Sequence, residues 1–121
     1  MILGTGIDII ELSRIQKAYE SLGDKFLKKI LHSTEWEIFS GIQGEKRKLE
    51  FLAGRFAAKE AFMKAKGVGM ALSFSSIAVL NEKSGAPYIL YEESAPCEKI
   101  HLSLSHSKDY AVASVTIEKI S

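Results

Sequence analysis

A stretch of roughly twenty residues from Lys46 to Lys66 constrains this chain more than any other, because it reads as one long helix with a carboxylate in its apolar stripe. Strong helix formers dominate the segment, and Gly67 closes it. Leu49, Ala53, Phe56 and Met63 define the inward stripe at about 100° per residue, and Glu60 falls between Phe56 and Met63. Lys64 follows one turn later at the edge of the stripe. A fold built around this helix must provide a partner for Glu60, since an isolated buried carboxylate is strongly unfavourable.

A second carboxylate stands out at the N-terminus. Met1 to Ile10 is almost wholly apolar and β-branched, which predicts a buried strand whose side chains alternate between faces. Asp8 then shares a face with Gly4 and Gly6, two residues that leave bare backbone where a ligand can approach. Two readings of the carboxylates stay open. One is ion pairing, Glu60 with Lys64 or Asp8 with a basic residue. The other is a hard cation such as Mg²⁺, completed by water and substrate phosphates, because no Cys or His accompanies the acids. On the second reading Lys59 and Lys64 favour a phosphorylated substrate.

Length and charge narrow the classes. The 121 residues suit one domain spanning 1–121, with enough chain for a core. With 46% hydrophobic and 26% charged residues the chain reads as globular, not disordered. A net charge of +1 argues against a general nucleic-acid binder. No apolar run approaches the ~20 residues that cross a bilayer, so no membrane span is expected. The single Cys97 cannot form an internal disulfide, and the N-terminus enters a strand without a leader pattern; both lead us to expect a cytoplasmic enzyme.

The remaining elements follow in order. Glu11 to Ser21 reads as a helix with Leu12, Ile15 and Tyr19 inward, Arg14 and Lys17 outward, and an end near Gly23. Asp24 to Leu31 continues helically, and Ser33 is the expected cap of a short helix carrying Trp36, Ile38 and Phe39. Beyond Gly69 the pattern changes to strands: Ile77–Leu80 and Tyr88–Tyr91 about a turn at Lys83 to Pro87, then Ile100–Leu104 and Tyr110–Ile117 about Ser107 to Asp109. The expected fold class is α+β: an N-terminal strand, a helical middle and two C-terminal hairpins in a mainly antiparallel sheet. Two phosphate-loop motifs fail. Gly4-Thr5-Gly6 lacks the third glycine of a dinucleotide loop and is followed by an apolar run, and no glycine-Lys-Ser/Thr sequence is present.

Taken together, Gly4-x-Gly6-Ile7-Asp8, Leu52-Ala53-Gly54-Arg55-Phe56-Ala57-Ala58-Lys59-Glu60-Ala61, Lys64-Ala65 and Gly67-x-Gly69 resemble the bacterial holo-acyl-carrier-protein synthases, small phosphopantetheinyl transferases. Phe74-x-x-Ile77-x-Val79, Gly85-x-Pro87, Ser103-x-Ser105-His106 and Ala111-x-Ala113-x-Val115 extend the resemblance nearly end to end. It implies transfer of the phosphopantetheine arm of coenzyme A to a serine of an acyl carrier protein, with adenosine bisphosphate released. It further implies Mg²⁺ held by Asp8 and Glu60, with Lys64 offsetting pyrophosphate charge and Lys59 assisting from the rim.

Lys59, Lys64, Gly67, Gly85, Pro87 and His106 are the residues the resemblance sets against the coenzyme, the Gly85 turn near its adenosine end. His106 is a candidate catalytic residue, as base or phosphate ligand, beside a metal-bound water or a carboxylate; a plain structural role is the competing reading. Arg14, with Lys17, is expected to dock the acidic carrier protein. The family implies a homotrimer with sites between subunits. Departures from its usual pattern are Lys29 for Arg, His32 for Thr and Val68 for Thr. Two other function classes compete: a non-catalytic module that binds acidic proteins, and a metal-dependent phosphohydrolase that needs no carrier serine.

Overall fold

A computed structural model describes residues 1–67 and 72–120, so Val68 and Gly69 lie outside the described residues. Strand β1 (Ile2–Glu11) leads into α1 (Leu12–Leu22), α2 (Asp24–Ile30), α3 (Ser33–Ser40) and the long α4 (Glu45–Lys66). A 3₁₀ turn at Phe74–Ser76 precedes β2 (Ala78–Asn81), β3 (Pro87–Leu90), β4 (Glu98–His106) and β5 (Tyr110–Lys119). The α+β architecture and both hairpins are as expected, but the strands form two sheets. One has the order β1-β5-β4 and the other pairs β2 with β3, every pairing antiparallel.

Helix α4 lies across the inner face of the larger sheet, and at Gly4 and Gly6 of β1 it approaches main chain directly. A Cβ on Gly6 would fall within van der Waals distance of Ala61, whose carbonyl carbon would be 3.0 Å away, and one on Gly4 would press on the Ala65 carbonyl. The glycines therefore admit the helix, where the sequence suggested room for a ligand. Ala53, Ala57, Ala61 and Ala65 recur every four residues and form one buried ridge of α4. Leu52 and Phe62 complete a helix buried over most of its circumference, so the expected stripe of Leu49, Ala53, Phe56 and Met63 captured only part of it.

Two further expectations change. β1 is an edge strand, and its outer face leaves Ile7 64% and Ile9 62% exposed; only the inner residues, Ile10 foremost, are shielded. The N-cap of α3 is His32, not Ser33: the Thr34 N–H donates to His32 Nδ1 at 3.2 Å, and the His32 N–H donates to Glu35 Oε1 at 2.9 Å. This is a capping box with imidazole in the place of a hydroxyl. Gly23, with φ of 56°, separates α1 from α2, and Gly67, with φ of 75°, ends α4. Among the described residues no helix is long and apolar enough to cross a membrane.

Candidate active site

Alternation along β1 puts Asp8 on the same side as Gly4 and Gly6, where the strand meets the C-terminal half of α4. Lys64 Nζ donates to the Ile7 carbonyl at 2.9 Å and to Asp8 Oδ1 at 3.4 Å. The ion-pair reading is therefore realised between Lys64 and Asp8, and it uses one carboxylate oxygen. The other, Asp8 Oδ2, is buried and has no hydrogen-bond partner. An orphaned carboxylate oxygen is costly in an apolar site and calls for a donor or a cation.

Glu60 is half-buried at the border of the helix's apolar face. Burial raises its carboxyl pKa above the usual glutamate value, and the nearby Asp8 charge raises it further, while Lys64 and Arg14 pull it back. Two carboxylates that repel each other, one with a vacant buried oxygen, form a hard-oxygen donor pair. Among the described residues no group of three or more His, Cys, Asp or Glu comes together, so these two acids fit a cation that takes its other ligands from water or substrate. Arg14 and Lys17 are both exposed on α1, and Arg14 is close enough to Glu60 to act on its charge.

A cleft of about 470 Å³ opens beside Glu60. One wall is α1 and α2, with Leu22, Phe26 and Ile30; the other is Leu72, Ser73 and Phe74. Lys59 does not reach its rim. The side chain is wholly buried, paired with the equally buried Glu35, and it donates to the carbonyls of Ile30 at 2.6 Å and Phe74 at 3.0 Å. Burial holds the Lys59 ammonium below the usual lysine pKa, and Glu35 pulls it back up. The helical turn that brings Glu60 to the cleft sends its neighbour inward, which corrects the expected coenzyme contact.

His106 is not part of the Asp8 and Glu60 cluster within one chain. Its Nδ1 lies 3.4 Å from Glu50 Oε2, ten residues or about 15 Å along α4 from Glu60. A second, smaller cavity of about 190 Å³ collects Glu50, Gly54, Arg55, Ser105 and His106. Gly85 and Pro87 connect to this place. Arg55 Nη2 donates to Asn81 Oδ1 at 2.9 Å, Asn81 donates to the Gly85 carbonyl at 3.0 Å, and Asn81 pairs with Pro87 across the small sheet. Arg55 is 8% exposed, and its Nε has no partner. Gly67 is exposed at the other end of α4, beyond Lys64. One helix thus carries two separate clusters. The sequence reading missed Arg55 and Glu35; the cue for Arg55 was an arginine one position from the helix's apolar stripe.

Comparison with known proteins decides the family. Residues 4–115 match the family model described as ACPS, the 4'-phosphopantetheinyl transferase superfamily. The chain belongs to that superfamily. Its members include a holo-[acyl-carrier-protein] synthase of Geobacillus sp. (strain WCH70), 48% identical over the full length of both chains. Another, from Staphylococcus haemolyticus, is 46% identical over 98% of each. Among solved structures, the phosphopantetheinyl transferase fold aligns with a Bacillus anthracis holo-(acyl-carrier-protein) synthase in complex with CoA (3',5'-ADP). That match has a TM-score of 0.87 and 46% identity, covering 100% of this chain and 99% of that one. A Helicobacter pylori synthase in complex with coenzyme A aligns with TM-score 0.79 and 30% identity, covering 94% and 99%. The chain is accordingly an enzyme of the phosphopantetheinyl transferase family.

Proposed function

We propose that this transferase moves the phosphopantetheine arm of coenzyme A to a serine of an apo acyl carrier protein, releasing adenosine bisphosphate, with Mg²⁺ held by Asp8 and Glu60. The observation that carries the metal is Asp8 Oδ2, a buried oxygen without a partner beside a glutamate whose charge it opposes. Mg²⁺, when bound, would neutralise both acids and stabilise negative charge on the coenzyme's pyrophosphate. Lys64, already fixed by the Ile7 carbonyl, adds a positive charge at the same place. Arg14 and Lys17 steer the acidic carrier toward Glu60, because both project from the exposed face of α1 that borders it.

The two clusters on α4 support an assembly in which one copy supplies Asp8, Glu60 and Lys64 and a second supplies His106, Gly85 and Pro87 for the adenosine end. A homotrimer is the form we propose, with the apolar outer face of β1, Leu3, Ile7 and Ile9, covered between copies. The proposed location is the cytoplasm, in keeping with the single free Cys97.

The deciding experiment is the mass of an apo carrier protein after incubation with this chain, coenzyme A and Mg²⁺. A gain of one phosphopantetheine, lost with Asp8→Ala, with Glu60→Ala and without metal, is the expected result. Free phosphopantetheine with an unmodified carrier would overturn the transfer reading in favour of hydrolysis. Light scattering that returned the mass of a single 13.4 kDa chain would overturn the assembly.

A further inference from the structure

Among the described residues, one buried and fully hydrogen-bonded ion pair is not used by the proposed chemistry. Lys59 and Glu35 are both fully buried and twenty-four residues apart in sequence. All three ammonium protons have acceptors: Glu35 Oε1, the Ile30 carbonyl and the Phe74 carbonyl. Both carboxylate oxygens are also engaged, since Oε1 accepts from the His32 N–H at 2.9 Å and Oε2 from the Val79 N–H at 2.7 Å. A pair placed only to fill space would be replaceable by apolar side chains of similar volume, often without loss of stability. What such side chains could not do is hold main-chain carbonyls.

Those carbonyls have a particular location. Ile30 closes α2, and Phe74 opens the 3₁₀ turn; their side chains stand on opposite walls of the cleft beside Glu60. Among the described residues no strand pairing or shared helix joins the two walls, although α2 packs against the 3₁₀ turn. The Lys59 ammonium bridges them from beneath, one residue before Glu60 on the same helix. Glu35 in turn orients the ammonium and is itself fixed by the cap of α3 and by β2.

We propose that Lys59 and Glu35 are positioning residues that set the width of this cleft and hold its walls in register with Glu60. The inference rests on the reading that the cleft belongs to the transferase site. Loss of the bridge lets the α2 wall and the Phe74 wall separate, so a substrate seated between them binds more weakly before and during the reaction alike. Such a loss raises KM and leaves kcat nearly unchanged. A purely structural role behaves differently: it lowers the fraction of folded enzyme, which reduces apparent kcat and leaves KM alone.

The test uses the double variant Glu35→Gln with Lys59→Met, which removes both charges and avoids stranding a buried carboxylate. Circular dichroism and a thermal melt establish that it folds. Steady-state kinetics on active-site-titrated enzyme are then measured for coenzyme A and for the carrier protein separately. We expect KM to rise at least ten-fold for one of the two, with kcat within three-fold of the parent, and the substrate affected identifies the occupant of the cleft. Unchanged KM values for both substrates would overturn the proposal. If the double variant is too unstable to assay, Glu35→Gln alone takes its place, because it removes the charge that orients the ammonium, and unchanged KM values for both substrates would again overturn the proposal. An inactive parent would instead refute the transferase reading, so the two failures are distinguishable.

Discussion

Adding one methyl group at Gly6 and the same methyl group at Gly54 should move stability in opposite directions. At Gly6 the new Cβ meets only main chain: the Ala61 carbonyl carbon at 3.0 Å, the Ala65 nitrogen at 2.9 Å and the Ala61 oxygen nearer still. Carbon atoms rest at about 3.5 Å or more, so α4 must lift from β1 by at least half an ångström along that contact. No rotamer change relieves the strain, which puts the cost near the upper end for overpacked cores, about 3 kcal/mol. For a domain of this size that is a fall in Tm of roughly 12 °C. At Gly54, inside α4, a Cβ meets nothing within 4 Å. Gly54→Ala should therefore recover the helix propensity that glycine forfeits, about 1 kcal/mol, or about 4 °C. The sites share no partners, so the double variant should lose about 2 kcal/mol. Urea titration followed by far-ultraviolet circular dichroism measures all three. A Gly6→Ala cost below about 0.5 kcal/mol, the range of ordinary surface changes, would refute the claim that α4 rests on the backbone of β1.

Other expectations concern charge, caps and assembly. Glu60 has a raised pKa, so its folded state holds the proton more tightly and stability falls as pH rises from the usual glutamate range through the raised value. Metal-free Glu60→Gln should accordingly melt higher than the parent at neutral pH, with the gap closing on acidification; melts with added Mg²⁺ should raise the parent alone, and a gap independent of pH would contradict this account. Arg14→Glu should raise the carrier protein's KM at least ten-fold and leave that of coenzyme A almost unchanged, with equal effects excluding a docking role. His32→Ala removes the acceptor for the Thr34 N–H and should cost about 1 kcal/mol in a denaturant melt. Co-refolding Glu60→Ala chains with His106→Ala chains should restore activity that neither shows alone if, as proposed, a site takes its two halves from different copies; no recovery in verified mixed oligomers would refute the shared site.

Much of this was legible in the sequence, for identifiable reasons. The long helix, both hairpins and the facing of Arg14 depend on local periodicity and on turn residues such as Gly23 and Gly67, which a single sequence displays. Of the alanine ridge only Ala53 registered, because alanine carries little hydrophobic weight and its spacing of four reads as background. Lys59 looked like a rim residue for a related reason: its partner Glu35 and its carbonyl acceptors lie far away in sequence, and no period connects them. The strand order was equally hidden, so β1 looked fully buried when its outer face is open. His32 escaped notice because imidazole is a rare N-cap, and only the Thr34 geometry reveals it.

Glu50 and Glu60 ride on one unbroken helix, and this makes α4 a ruler as well as a scaffold. In an assembly with shared sites, the spacing and the angular offset between two adjacent catalytic centres are fixed by the pitch of ten residues. Inserting or deleting one residue between them would swing one centre by about 100° around the axis relative to the other while each remained locally intact. The interval from 50 to 60 should therefore tolerate exchange of side chains and reject any change of length, a constraint that neither centre would impose alone.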